Sequence, residues 1–418
     1  MALTSLKARK ISDSRGNPTI EVEAVVSVRG KKSVGRAAAP SGASRGRYEV
    51  VDFPEGGVDA AIAKLPKLER ELKRLRKLDI PSVDSLLHEI DGTPNFSSIG
   101  GNTAVAISMA VAKALAAASG KPLFAYLNPR AAELPFPLGN VLGGGKHAGK
   151  MAPDIQEFLV VSVGAKTVSE AIFTNSAVHK RVRKLIEQAD PTFTGGKGDE
   201  GAWAPNLDSR KALEIVVRAC EEVSSETGVL VRPGLDVAAS SLYDEATGKY
   251  IYKREGRERS TGEQIDFIAD LVRTYRLFYV EDPLHEEDFD GFAELTAKVG
   301  KSCLVCGDDI FVTNTTRIRT GLEKKSANAV LIKPNQIGTL SDTLEAIKLT
   351  KAEGAVPVIS HRSGETTDET IAHLAVAWGC LMIKTGVVGG ERIAKLNELI
   401  RIWEILGKRA KMASLPVK

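Results

Sequence analysis

Beyond residue 228, short apolar runs repeatedly stop at an ionisable residue. "VLVRPGLD" ends at Asp236, "RLFYVE" at Glu281, "CLVCGD" at Asp308, "NAVLIK" at Lys333, "AVPVISH" at His361 and "LMIK" at Lys384. Apolar runs of this length without alternation are expected of strands buried on both faces. Pro334, directly after Lys333, lacks a backbone donor and stops its strand there. The ends are spaced by 45, 27, 25, 28 and 23 residues, each enough for one helix and one strand. That is the cadence of a (β/α)8 barrel, whose strand ends share one rim. A doubly wound open sheet has a similar cadence but gathers ligands at a switch point, not from six strand ends. The sequence therefore predicts an α/β chain with a barrel over residues 138–418. Ahead of it, "TIEVEAVVSV" (19–28) alternates in part like a strand, with "KKSVGRAAAP" (31–40) as its hairpin partner. Helical patterns follow at about 58–78 and 102–119, so residues 1–126 read as a smaller α+β domain capping the barrel. "LNPRAAELPFP" (127–137), with three prolines, reads as the linker.

Length supports this division, since 418 residues exceed what one small core organises. The net charge of +4 is thinly spread. The most basic stretch, "KLPKLERELKRLRKLD" (64–79), intersperses Glu69, Glu71 and Asp79, and its leucines 65, 68, 72 and 75 recur at helical spacing. It reads as a surface helix with one buried stripe, not as the dense, aromatic-bearing basic face that nucleic acid requires. Four cysteines make no disulfide framework. Cys303 and Cys306 lie three apart on a predicted strand, so they point to opposite faces and cannot chelate one metal. They read as core residues. "MALTSLKARKISDSRG" has no apolar core of a signal peptide. The apolar stretch 102–120 is Ala-rich and carries Lys113, which suits an internal helix better than a bilayer span. A cytoplasmic location without a membrane segment is the expectation.

Taken singly, a strand-end Asp is ordinarily a cap or turn former and a strand-end Lys snorkels to solvent. Six such residues on one rim make a site. Asp236, Glu281 and Asp308, with no cysteine near, form an all-oxygen set suited to a hard divalent cation, Mg²⁺ before Mn²⁺. Lys333 and Lys384 would stand beside that metal, where burial and like charge favour the neutral amine. A neutral lysine there can remove a proton from carbon next to a carboxylate, with the metal stabilising the ene-diolate. "GKGDEGAWAPN" (196–206) exposes Asp199 and Glu200 in a glycine-rich loop, and "GGGKHAGK" (143–150) presents His147. The latter has neither nucleotide-binding fingerprint. "HRSGET" (361–366) sets Arg362 and Ser363 after a strand, a fitting pair for phosphate. Ser363 as an acyl-transfer nucleophile would lack the G-x-S-x-G elbow and leave the metal site unexplained.

"DSRGNPTIEVE", "PSGASRGRYE", "GGGKHAG", "QEFLV", "GDEGAWAPN", "LDVAAS", "YVEDP", "GDDIFVTN", "LIKPNQIGTL", "ISHRSGET" and "IKTG" follow one another along nearly the whole chain. In this order they resemble the enolase family, whose superfamily pairs a Lys or His base with one or two Mg²⁺ ions. The resemblance implies reversible dehydration of 2-phosphoglycerate to phosphoenolpyruvate. It places the metal on Asp236, Glu281 and Asp308, the base on Lys333, and the acid on Glu200 assisted by Glu157. It assigns substrate contacts to His147, Gln156, Glu157, Lys333, Arg362, Ser363 and Lys384, and Ser44 to a closing loop that holds a second Mg²⁺. It also implies an irregular barrel with an early antiparallel strand, and a homodimer that sometimes forms an octamer. Arg45, Ala202 and Pro334 stand where the family usually has Thr, Gly and Val. One residue is extra between His147 and Glu157, and the C-terminal tail is short. Two other readings are a superfamily racemase or cycloisomerase acting on a non-phosphorylated acid, and a binding protein, at a cell surface or in an RNA-processing assembly, that kept only the fold. "HRSGET" and "SGAS" argue against the first, and the full set of candidate catalytic groups against the second.

Overall fold

Alternation along one strand decides how the N-terminal part is built. In Pro18–Val28, Ile20, Val22, Ala24 and Val26 are buried while Glu21 and Glu23 point outward to Arg9 and Arg36. This strand is the middle of an antiparallel meander, Ala2–Ser12, Pro18–Val28 and Lys31–Ala38. The structure is a computed structural model that describes residues 1–42 and 46–417. The helix Gly101–Ala118 covers the meander's apolar face. Gly35 permits that contact, because a Cβ there would lie 2.1 Å from the carbonyl oxygen of Ala110 and 2.2 Å from the nitrogen of Ala114. Among the described residues this is the one helix long and apolar enough to cross a membrane, and 83% of it is buried inside the protein.

Two local expectations differ from what forms. The helix predicted over 58–78 runs Gly57–Leu72, and a separate helix, Ile80–Asp91, follows. Leu65, Leu68 and Leu72 are buried, but Leu75 lies past the end, where the chain tightens into short-range turns. Asp79, read as part of a charge run, caps the second helix by accepting from the Ser82 N–H at 3.0 Å. The strand Ala2–Ser12 was not anticipated, because its charged, weakly alternating side chains carry little periodic signal.

Eight strands then close a barrel: Phe136–Gly143, Glu157–Val161, Arg232–Asp236, Tyr279–Glu281, Leu304–Gly307, Ala329–Ile332, Val356–Ser360 and Met382–Gly386. Its first strand begins inside the segment read as a linker, which also holds the short strand Glu133–Leu134 paired with Lys411–Met412. Glu157–Val161 runs antiparallel to both neighbours, whereas every other adjacent pair is parallel. The reversed strand therefore brings its first residue, Glu157, to the rim opposite Asp236, which in turn pairs in register with Glu281. A small three-stranded sheet, Tyr243–Asp244, Lys249–Tyr252 and Arg257–Arg259, accounts for the longer first spacing.

The barrel interior is apolar. Leu138, Leu159, Tyr279, Leu304, Cys306, Ala329, Leu331, Val358 and Met382 form one cluster, and the alternate residues Val280, Val305, Val330, Ile359 and Ile383 join the core under the helices. Cys306 belongs to the inner cluster and Cys303, which lies just ahead of the strand Leu304–Gly307 and not on it, to the outer. Burial pushes both thiols up, so they are inert core groups.

Candidate active site

The backbone brings the rim residues together as the cadence implied. Asp236 and Glu281 end their strands, Asp308, Lys333 and His361 follow theirs directly, and Lys384 lies within Met382–Gly386. A cavity of about 30 Å³ is lined by Asp236, Asp308, Lys333 and Lys384 together with His147, Gln156, Glu157, Glu200, Arg362 and Ser363. That volume is of the order of one water, so the side chains themselves fill the site. Ser44 lies outside the described residues.

Charges pair densely here. The Lys384 Nζ lies 3.0 Å from Asp236 Oδ2, 2.8 Å from Glu281 Oε1 and 3.2 Å from Glu157 Oε2. Lys333 ion-pairs with Asp308. Burial works to lower both amines, but the carboxylates around them outweigh it and raise both. At contact distance the carboxylates stabilise each ammonium more than desolvation penalises it, whereas the neutral amine was expected beside a divalent cation, which would take up the same carboxylates. Glu281 is fully buried, accepts from the Tyr279 hydroxyl at 2.7 Å, and is pushed up to about 8 by burial and the charge of Asp236. Asp308 is held low against burial by Lys333, and its other oxygen accepts from Gln336 at 3.0 Å.

These groups suit a hard cation. Asp236, Glu281 and Asp308 offer only buried oxygens, and two of them already converge on one positive charge, the Lys384 ammonium. The carboxylates of Asp282, Asp308 and Asp309 also lie within 4.8 Å of one another. Asp282 was quoted in the sequence without a role. Its oxygens accept the N–H groups of Asp308 and Asp309, each at 2.8 Å, so it fixes the turn that presents Asp308.

The acid side is built on an unusual backbone. Glu200 has φ 66° and ψ 6°, a conformation uncommon for a non-glycine residue. Gly386 gives its carbonyl room, since a Cβ there would lie 2.1 Å from the Glu200 oxygen. Asn140 donates to Glu200 Oε2 at 3.0 Å, and His361 Nε2 faces Oε1 at 3.3 Å. Glu157 lies 3.3 Å from His147 Nδ1. Burial, then the charge of Glu200, pushes Glu157 well up. Burial also works to raise Glu200, but His361, His147 and Arg392 outweigh it and hold its carboxyl well below the usual range. The two carboxyls thus form an unequal pair, pushed in opposite directions by their surroundings.

Arg362 forms a forked pair with Glu49, at 2.9 and 3.0 Å, and also donates to Asn335 at 2.9 Å. Glu49, Asn140 and Arg392 were missed as site residues. Asn140 and Glu49 were visible only as polar residues in quoted or neighbouring stretches, and Arg392 reads as an ordinary charged position on a helix.

Comparisons with known proteins identify the family. Residues 131–417 match the family model described as the enolase C-terminal TIM barrel domain, and residues 3–127 match the enolase N-terminal domain. The chain belongs to the enolase family. Among proteins named enolase, it is 59% identical to that of Methanosphaera stadtmanae, over 97% of both chains. It is 56% identical to that of Methanothermobacter thermautotrophicus, over 99% of both, and 50% identical to that of Pyrobaculum aerophilum, over 100% of both. Two departures from the usual enolase motifs sit easily in this fold. Ala202 is fully buried, with its Cβ close to Gly143, and Pro334 opens the short helix Pro334–Ile337, where its missing N–H has no partner to lose.

Proposed function

We propose that this enolase-family chain dehydrates 2-phosphoglycerate reversibly to phosphoenolpyruvate. The observation that carries the reading is that Lys333, the Glu157–Glu200 pair and the Arg362–Ser363 loop all line one cavity. Arg362 and Ser363 hold the phosphate, and Lys384, His147 and Gln156 orient the rest of the substrate. Asp236, Glu281 and Asp308 would hold Mg²⁺, or Mn²⁺ in its place, with Ser44 as the expected ligand of a second ion, and the bound metal would supply positive charge to stabilise the electron-rich intermediate state. Lys333 Nζ takes the proton from carbon 2, the electron pair moving toward the carboxylate. Glu200, assisted by Glu157, then gives a proton to the hydroxyl on carbon 3, the C–O bond breaks, and water leaves as the double bond forms. The same reading places the protein in the cytoplasm as a homodimer, with an octamer as its larger form, which sedimentation would distinguish.

The test is absorbance from phosphoenolpyruvate formation, with 2-phosphoglycerate supplied and Mg²⁺ present, chelated or restored. Turnover that needs Mg²⁺ supports the reading. No product in the presence of Mg²⁺, or activity surviving exhaustive chelation, overturns it.

A further inference from the structure

One fully buried cation lies under the site without lining its cavity. Arg392, in the first turn of the helix Gly390–Leu406, is 0% exposed. Its Nη1 donates to the Arg362 carbonyl at 2.5 Å and lies 2.8 Å from His361 Nδ1, and its Nη2 donates to the Ser363 carbonyl at 2.6 Å. Its Nε is 3.2 Å from Glu391. One guanidinium thus holds the main chain of the phosphate loop and one edge of the imidazole that faces Glu200.

We infer that Arg392 is a positioning residue that fixes the tautomer of His361 and the shape of the Arg362–Ser363 loop together. A guanidinium can only donate, so the His361 Nδ1 that meets it must be the bare, accepting nitrogen. The ring proton is then on Nε2, the atom 3.3 Å from Glu200 Oε1. That N–H lies beside the carboxylate as a charge–dipole contact, short of hydrogen-bond alignment. The other tautomer would set an N–H against the guanidinium and a lone pair against the carboxylate, both unfavourable in a buried site. This is the logic by which a partner on one ring nitrogen decides what the other can do.

The loop is held from below in two places. Three residues further along the same helix, Lys395 donates to Glu365 Oε2 at 2.7 Å and to the Thr366 carbonyl at 2.6 Å. Between the two clamps, Gly364 exchanges backbone hydrogen bonds of 2.8 Å with Ser41, and a Cβ on it would lie 2.6 Å from Asp13. Among the described residues Lys395 hydrogen-bonds to Glu365 and Thr366 and not to His361, so it separates the two effects of Arg392: it shapes the loop without bonding to the ring.

The experiment reads the ring directly. Protein labelled with ¹⁵N at its six histidines is examined by long-range ¹⁵N–¹H correlation, the His361 signals being assigned by their loss in His361→Gln. The wild type should show the proton on Nε2. Folded Arg392→Met should lose that preference, and Lys395→Met should keep it. A folded Arg392→Met with His361 still wholly Nε2-protonated overturns the inference. Where Arg392→Met does not fold, Arg392→Lys serves instead. Its single ammonium can keep the tautomer but cannot reach both carbonyls, so KM for 2-phosphoglycerate should rise about tenfold, and an unchanged KM overturns the loop assignment. In turnover, Arg392→Met should lower kcat by about a hundredfold, whereas Lys395→Met should raise KM with kcat within about twofold. The kinetic arm rests on the proposed activity and the tautomer arm does not, so a wild type without turnover would fail the first and leave the second standing.

Discussion

The floor and the rim of this barrel are made by the same strands, two residues apart. Leu331 is in the interior and Lys333 on the rim, Met382 lies below Lys384, and Tyr279 lies below Glu281. On the reversed strand the order inverts, with Leu159 below Glu157. A strand returns to the same face every second residue and advances about 3.3 Å per residue, so the two levels are only about 7 Å apart. Below, side chains are apolar and cohere by burial, apart from the Tyr279 hydroxyl, which donates up to Glu281. Above, each is ionisable and touches an opposite charge. Stability and chemistry are stacked, and a substitution should affect mainly the level it sits on.

The sharpest way to break that separation is at the rim. Lys333→Ala should lower kcat by about 10⁴-fold, as for an essential acid–base group, and no deuterium should enter carbon 2 of 2-phosphoglycerate in heavy water. Glu200→Gln should also block turnover yet keep that exchange, because proton removal precedes loss of the hydroxyl. Exchange that persists in Lys333→Ala but disappears in Lys384→Ala would give the base to Lys384. One level down, Leu331→Ala should cost about 2–5 kcal/mol in denaturant unfolding, with kcat per folded molecule nearly unchanged. If kcat falls with stability, the two levels are coupled. Arg362→Lys should raise KM by about ten- to a hundredfold, since an ammonium cannot reproduce the planar fork, while the unfolding midpoint moves little. Wild-type affinity would remove this loop from phosphate binding. Farthest from both levels, the exposed Lys249–Glu258 pair, 3.0 Å apart on the small sheet, should matter least. Lys249→Ala should change unfolding free energy by no more than about 0.5 kcal/mol.

The rim was legible because buried strands tolerate only apolar residues, so the first ionisable residue marks where each strand emerges. That logic found Asp236, Glu281, Asp308, Lys333 and Lys384. It could not find Glu157, which starts its strand instead of ending it, and only the family resemblance supplied it. Glu49 and Arg392 reach the site from distant stretches, and no local pattern distinguishes them from surface charges. Which carboxylate each lysine touches depends on distances that spacing along the chain does not contain. Leu75 misled for the opposite reason, since its helical period continues after the helix has stopped.

The Glu49–Arg362 pair has a consequence for affinity. Both side chains are almost wholly buried, and their forked contact already engages both Nη atoms of the guanidinium. An anion arriving at Arg362 is therefore a competitor, and its docking is an exchange of one carboxylate for another acid. The net gain is the difference between two pairings, smaller than either alone. A residue that need never touch the ligand can thus act as a dial on how tightly it is held: Glu49 contributes by how readily it lets go. Because Glu49 comes from the N-terminal part of the chain, that part and the barrel meet in the pair, and an anion at Arg362 would be felt on both sides of it.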